Sequence, residues 1–174
     1  CSSDLSTEGV VALVGNKSSG SDSNLIYRCE IFNAGALANA RKVLISSSAQ
    51  SGRENNNDSI RSCYLYDFSR NAINLEPYSV NWDIRDNYFY NTGAITYDQD
   101  VQVIRSRSTQ AGCYHKISNN EFGGLNSSRL NIGYKKSFYF ISVTGAAEVN
   151  SNRFLRMNFS NTVDNPSPAI RFIS

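Results

Sequence analysis

One short pattern occurs five times along the chain: an aliphatic residue, two variable residues, Asn or Cys, one variable residue, then an apolar residue. The copies run from Ile26 to Ile31, Ile60 to Leu65, Ile84 to Phe89, Ile117 to Phe122 and Val149 to Phe154. Their fourth positions are Cys29, Cys63, Asn87, Asn120 and Asn152, separated by 34, 24, 33 and 32 residues. A motif that stays fixed while its spacing varies marks an array of stacked repeats whose loops absorb the difference.

Further apolar stretches accompany the motif. Upstream of every copy but one lies a strand-like run: Val11–Val14, Val43–Ile45, Val101–Ile104 and Phe138–Ser142, with Ile170–Ser174 closing the chain in nearly the same letters. A third set lies downstream, in Ala36–Leu37, Ala72–Leu75, Ala94–Tyr97 and Arg129–Ile132. Alternation with period 2 and the absence of helical spacing predict an all-β chain, coiled so that three short strands per repeat feed three parallel sheets. The Asn at the bend has a physical reason. An inward-turned amide can hydrogen-bond its equivalents in the repeats above and below, at a spacing of about 4.8 Å, and a buried amide needs such partners. Cys29 and Cys63 fill the same slot, where a small thiol leaves no strong donor unsatisfied, so they are expected as free core thiols.

With 174 residues and 18% of them charged, the chain has the size of one domain and is not disordered in composition. A formal charge of +2, with Lys and Arg scattered, carries no nucleic-acid footprint. No apolar run reaches the roughly 18–20 residues of a membrane span, and no basic stretch followed by an apolar one opens the chain as an export signal would. The four cysteines lack metal-site spacing.

The repeat and its Asn ladder resemble the pectate-lyase-like right-handed parallel β-helix superfamily, which holds pectin and alginate lyases, polysaccharide hydrolases and epimerases, and the tailspikes of bacteriophages. The resemblance covers about Val10 to Ser174. It implies a single β-helix domain over residues 1–174, about five to six coils long and cut from a longer chain. It implies an extracellular or virion protein that binds, and as a glycoside hydrolase or polysaccharide lyase degrades, bacterial surface or extracellular polysaccharide. A tailspike would be a homotrimer. Free core cysteines lean toward that member, which folds in a reducing cytoplasm. The alternatives are a secreted or lipid-anchored bacterial lyase or hydrolase, for which Cys1-Ser2-Ser3-Asp4 would be the lipidated end, and a non-catalytic adhesin or structural spike.

Candidate site residues follow from the rows that point outward. The fifth motif position reads Glu30, Tyr64, Tyr88, Glu121, Arg153, and the second reads Tyr27, Arg61, Arg85, Ser118, Asn150. Tyr64, Tyr88, Glu121, Arg61 and Arg85 are the expected substrate-binding residues, because aromatic faces pack on sugar faces and charged forks bond hydroxyls or carboxylates; an ordinary solvated sheet face is the alternative. Aligning Leu75 with Tyr97 sets Glu76 beside Asp98, about 5 Å apart, as a stacked acid pair with Asp100 close by, the range used in glycoside hydrolysis. These three are the candidate catalytic residues. A calcium ion held by the cluster and a solvated loop edge are the alternatives, and no other cofactor is expected. His115 has no Ser, Cys or Asp partner fixed by spacing, which leaves a triad unsupported.

Overall fold

The computed structural model describes residues 10–15, 18–33, 43–97, 100–123, 130–134, 137–155, 157–161 and 169–173. Among them there is no helix. The first repeat supplies β1 (Val11–Val14), β2 (Leu25–Tyr27) and β3 (Glu30–Phe32), and the second β4 (Val43–Ser48), β5 (Asn55–Asn56), β6 (Ser59–Arg61) and β7 (Tyr64–Tyr66). The third holds β8 (Asn71–Leu75), β9 (Ser79–Val80), β10 (Asp83–Arg85) and β11 (Tyr88–Tyr90). Then come β12 (Ile95–Tyr97), β13 (Val101–Ser106), β14 (Tyr114–Ser118) and β15 (Glu121–Phe122), followed by β16 (Leu130–Tyr134), β17 (Phe138–Thr144), β18 (Ala146–Asn150) and β19 (Arg153–Phe154). β20 (Met157–Asn161) and β21 (Ala169–Ile173) complete the order.

Each sheet draws one strand from each successive repeat. The six-stranded sheet runs β1-β4-β8-β13-β17-β21, and two five-stranded sheets run β2-β6-β10-β14-β18 and β3-β7-β11-β15-β19. β12-β16-β20 and β5-β9 form smaller sheets. The pairings within all five are parallel.

Register is the organising fact. Ile26, Ile60, Ile84, Ile117 and Val149 pair one to the next, so the first motif position stacks as a single interior row. The sixth position does the same through Ile31, Leu65, Phe89, Phe122 and Phe154. Its rings lie nearly parallel, with centroids 4.8 Å apart for Phe89–Phe122 and 5.1 Å for Phe122–Phe154. Those separations are the strand spacing itself, because like rotamers on neighbouring parallel strands must meet face to face.

Between the two motif strands the backbone turns at the third position. Arg28, Ser62, Asp86, Asn119 and Ser151 all adopt left-handed φ, from 52° to 60°. Asn, Asp and Ser tolerate or cap such a turn, which explains most of the residues found there. The bend does not interrupt the ladder: Arg28 N–H donates to Arg61 O, Ser62 N–H to Arg85 O, and Asp86 N–H to Ser118 O, each at 3.2 Å.

The fourth-position amides then join the repeats from inside. Asn120 is fully buried, and its side chain is saturated. Its Oδ1 accepts from Asn87 N–H and Nδ2–H, both at 3.0 Å, while its Nδ2 donates to Ile84 O and Asn152 Oδ1 at 3.0 Å. Asn87 Nδ2 donates to Ile60 O at 2.9 Å, and Asn87 Oδ1 accepts from Cys63 N–H at 3.0 Å. At Cys63 the amide ladder ends. Cys29, Cys63 and Cys113 are free thiols, and burial pushes the Cys63 thiol up, so it stays protonated.

One strand sits elsewhere than the alternation predicts. Ala72–Leu75 belongs to the six-stranded sheet, where Ile73 pairs with Ile45 and Ile104. It is therefore the strand that had looked missing upstream of the Ile84 motif. The 24-residue step is short because only Asp67–Arg70 separate β7 from β8, whereas β12 stands between β11 and β13. Ala36–Leu37 lies outside the described residues.

Replacing Asn120 with Ala leaves the Asn87 N–H and one Asn87 Nδ2–H buried without their acceptor and removes the side-chain bond to Ile84 O, and should lower stability by about 3 kcal/mol. Cys63→Asn extends the ladder by one rung toward Ile26 O and should be neutral or stabilising by up to about 1 kcal/mol. Urea unfolding of both variants checks the pair, and a Cys63→Asn loss as large as that of Asn120→Ala would contradict the ladder's role.

Candidate functional site on the outer corner

The left-handed bend that turns the Asn inward turns its neighbours outward. Positions two, three and five of each motif therefore form three outward-facing rows, on the sheet β2-β6-β10-β14-β18, on the corner, and on the sheet β3-β7-β11-β15-β19. Two shallow depressions flank the corner and share Ser62 and Asp86. One, of about 490 Å³, is lined by Arg28, Glu30, Tyr64 and Tyr88; the other, of about 340 Å³, by Leu25, Tyr27, Arg61 and Arg85. Four of the five residues expected to bind substrate thus come together across one edge. The fifth, Glu121, pairs with Arg153 at 3.5 Å and is only 8% exposed.

The aromatic rows are stacked as tightly as those of the interior. Tyr64 and Tyr88 lie 5.1 Å apart with planes 13° from parallel. A second row at the seventh position, Phe32–Tyr66–Tyr90, has separations of 4.6 and 4.8 Å. The repeat read as six residues stops one short of this row, although alternation puts the seventh residue on the same side as the fifth. Stacking covers both faces of Tyr66 and one face each of Tyr64, Tyr88 and Tyr90, so a ligand meets chiefly ring edges and phenol hydroxyls. The hydroxyls of Tyr66 and Tyr90 remain donors: burial pushes the Tyr66 phenol up, and burial together with the charges of Tyr66, Glu30, Asp67 and Tyr64 pushes Tyr90 up to about 12. Tyr66 Oη donates to Glu30 Oε2 at 3.4 Å.

Arg61 and Arg85 face each other on neighbouring strands and are reconciled by one carboxylate. Asp83 Oδ2 lies 2.7 Å from Arg61 Nη2 and 3.4 Å from Arg85 Nε.

The alignment that set Glu76 beside Asp98 is not the register the strands take. Leu75 pairs with Ser47 and Ser106, whereas Tyr97 pairs with Tyr134 in a different sheet. The rung after Leu75 therefore sets Glu76 beside Arg107. Its carboxylate lies 3.0 Å from Arg107 Nη1 and 3.7 Å from Arg105 Nη1, and accepts from Asn74 Nδ2 at 2.9 Å. Alternation alone does not say which sheet a short strand joins, and the alignment rested on alternation. Asp100 Oδ1 accepts from Ser137 N–H at 3.1 Å, just ahead of β13. Asp98 lies outside the described residues. Among the described residues no group of three His, Cys, Asp or Glu side chains is arranged for a metal ion, and no helix is long and apolar enough to cross a membrane.

His115 is fully buried, with Ser106 Oγ 2.9 Å and Cys113 Sγ 3.4 Å from Nε2. Its Nδ1 accepts from Trp82 N–H at 3.2 Å, so in the neutral ring the proton sits on Nε2 and is donated to Ser106. A histidine donating to the serine cannot accept its proton, and the trio is structural.

Burial drives the His115 imidazole down to about 4, from an ordinary 6.5. Between those values the unfolded chain binds the proton first. The stability linked to His115 is therefore complete above pH 6.5 and declines as pH falls toward 4, by about 3 kcal/mol at up to about 1.4 kcal/mol per pH unit. Urea midpoints at pH 7 and pH 4.5 should fall less for His115→Gln than for the parent chain. Equal declines would contradict the assignment.

No family model matches the chain, and no curated protein or solved structure matches it either.

Proposed function

We propose that the chain is a stretch of right-handed parallel β-helix, three short strands to the coil, that binds polysaccharide across its outer corner as part of an extracellular or virion protein of the tailspike kind. The observation that carries this reading is the convergence of Tyr64, Tyr88, Arg61 and Arg85 on two depressions that share the Ser62–Asp86 edge. Phenols donate and accept single hydrogen bonds, and guanidinium forks bond paired hydroxyls or a carboxylate, which is the vocabulary of sugar recognition. The rows repeat every ~4.8 Å along the stack, on the scale of one pyranose unit, so an extended glycan can meet equivalent groups on successive rungs.

Binding is better supported than cutting. None of the outward rows of the two five-stranded sheets sets carboxylates on neighbouring rungs. Glu30 and Glu121 lie three rungs apart, about 14 Å, beyond the roughly 5–9.5 Å of paired glycosidase acids. Cleavage by Glu76, Asp98 and Asp100 is a separate reading, with Glu76 and Asp98 the acids to replace first. In the tailspike reading the full-length protein is a homotrimer.

Affinity electrophoresis through gels containing bacterial capsular and O-antigen polysaccharides tests the proposal. Retardation by at least one glycan is expected, weakened about tenfold or more by Tyr64→Ala with Tyr88→Ala, as for the loss of a central aromatic contact. Glu76→Gln should leave retention unchanged. New reducing ends, or ultraviolet absorbance from an unsaturated uronate, would add hydrolysis or elimination respectively. A chain that no glycan retards would refute the reading.

A further inference from the structure

On the outer face of β6, β10 and β14, apart from the tyrosine rows, lies a depression of about 390 Å³, at the small end of the roughly 300–1,000 Å³ of ligand sites. Its lining includes Asn57, Arg61, Asn81, Tyr114 and Lys116. From these residues we infer a subsite for a single carboxylate-bearing sugar unit. The inference rests on the glycan-binding reading and names the chemistry of one part of that surface.

Tyr114 differs from the stacked tyrosines Tyr64, Tyr66, Tyr88 and Tyr90. The pairing of Tyr114 with Ala146, and the bond from Tyr114 N–H to Asn81 Oδ1 at 2.9 Å, place Ala146 on one side of it and Asn81 on the other. Neither neighbour carries a ring to stack. Tyr114 is 46% exposed, so its ring is open to an apolar sugar face in a way that the stacked rings of Tyr64 and Tyr66 are not. Asn81 is held in place, its Nδ2 donating to Asn56 Oδ1 at 3.1 Å.

The charge of the depression favours an anion. Arg61 and Lys116 face it against the single carboxylate of Asp83, which already binds Arg61 and Arg85. Lys116 pairs in register with Asp83 and Glu148 but forms no ion pair with either, and Glu148 instead accepts from Asn150 Nδ2 at 2.6 Å. A carboxylate between Lys116 and Arg61 would satisfy both, with the sugar ring on Tyr114 and its hydroxyls on the Asn57 and Asn81 amides.

Calorimetric titration of the full chain with trigalacturonate, trimannuronate and α2,8-linked trisialate, each against its methyl ester, reads the inference directly. At least one acid should bind about tenfold more tightly than its ester, the scale of one charged hydrogen bond. Lys116→Met should abolish that preference, and Tyr114→Ala should weaken acid and ester alike. Acid and ester binding equally well, or both variants binding as the parent does, would overturn the subsite while retention through Tyr64 and Tyr88 persists. Loss of retention by every polysaccharide in affinity electrophoresis would instead overturn the glycan reading, and the subsite with it.

Discussion

The in-register parallel pairing of one repeat with the next, locked by the buried amides of Asn87 and Asn120 and the half-buried amide of Asn152, is the constraint on which the rest depends. Each amide donates to the backbone of another repeat, and those of Asn120 and Asn152 also accept from the amide of the repeat before; a one-residue slip would break that chain of bonds and turn Ile84 and Ile117 out of the core. Once register is fixed, a side chain has little freedom in choosing its neighbour. Like residues meet like at the strand spacing, and the Phe89–Phe122–Phe154 stack inside and the Phe32–Tyr66–Tyr90 stack outside are two consequences of one geometry.

What could be read from the sequence follows the same line. The Ile and Asn rows were legible because each rests on a short motif recurring five times, and register carries such a motif into space unchanged. The left-handed third position was not, since Arg, Ser, Asp and Asn share little in sequence beyond a tolerance of that turn. The run Asn71–Leu75 misled because a two-residue period identifies a strand without identifying its sheet. Its distance to the following motif was the better guide: 11 residues from Ile73 to Ile84, close to the 13 from Ile104 to Ile117. The alignment behind the acid pair went with that strand, since Glu76 and Asp98 had been matched through it.

Register also governs where charge can stand. Two like charges on neighbouring rungs repel at about 5 Å, and the outward rows largely avoid the arrangement. Ser59, Asp83, Lys116 and Glu148 alternate along one row, Glu76 meets Arg107, and Glu121 meets Arg153. Arg61 and Arg85 break the rule, and the structure answers with a single carboxylate between them, Asp83, at 2.7 and 3.4 Å. A like-charged pair held by one counter-ion is a place where a second anion is welcome, because two guanidiniums present more donors than one carboxylate can accept.

The same reasoning separates aromatic rings that hold the stack together from rings available to a partner. Tyr66 lies between the rings of Phe32 and Tyr90, and Tyr64 and Tyr88 each cover one face of the other; Tyr114, between Asn81 and Ala146, has no ring on either side, and it is 46% exposed. Recognition on a surface of this kind falls where the repetition fails: at a row's end, beside a cation without an ion-pair partner, or on a rung with a small residue in an aromatic slot. Gly123 is such a rung. It follows Tyr90 in the seventh-position row, and there a Cβ would lie 1.4 Å from Leu155 O, so the closeness of the next strand requires glycine and ends the aromatic stack. The regular part of the sequence therefore builds the scaffold, and its local exceptions make one face differ from another.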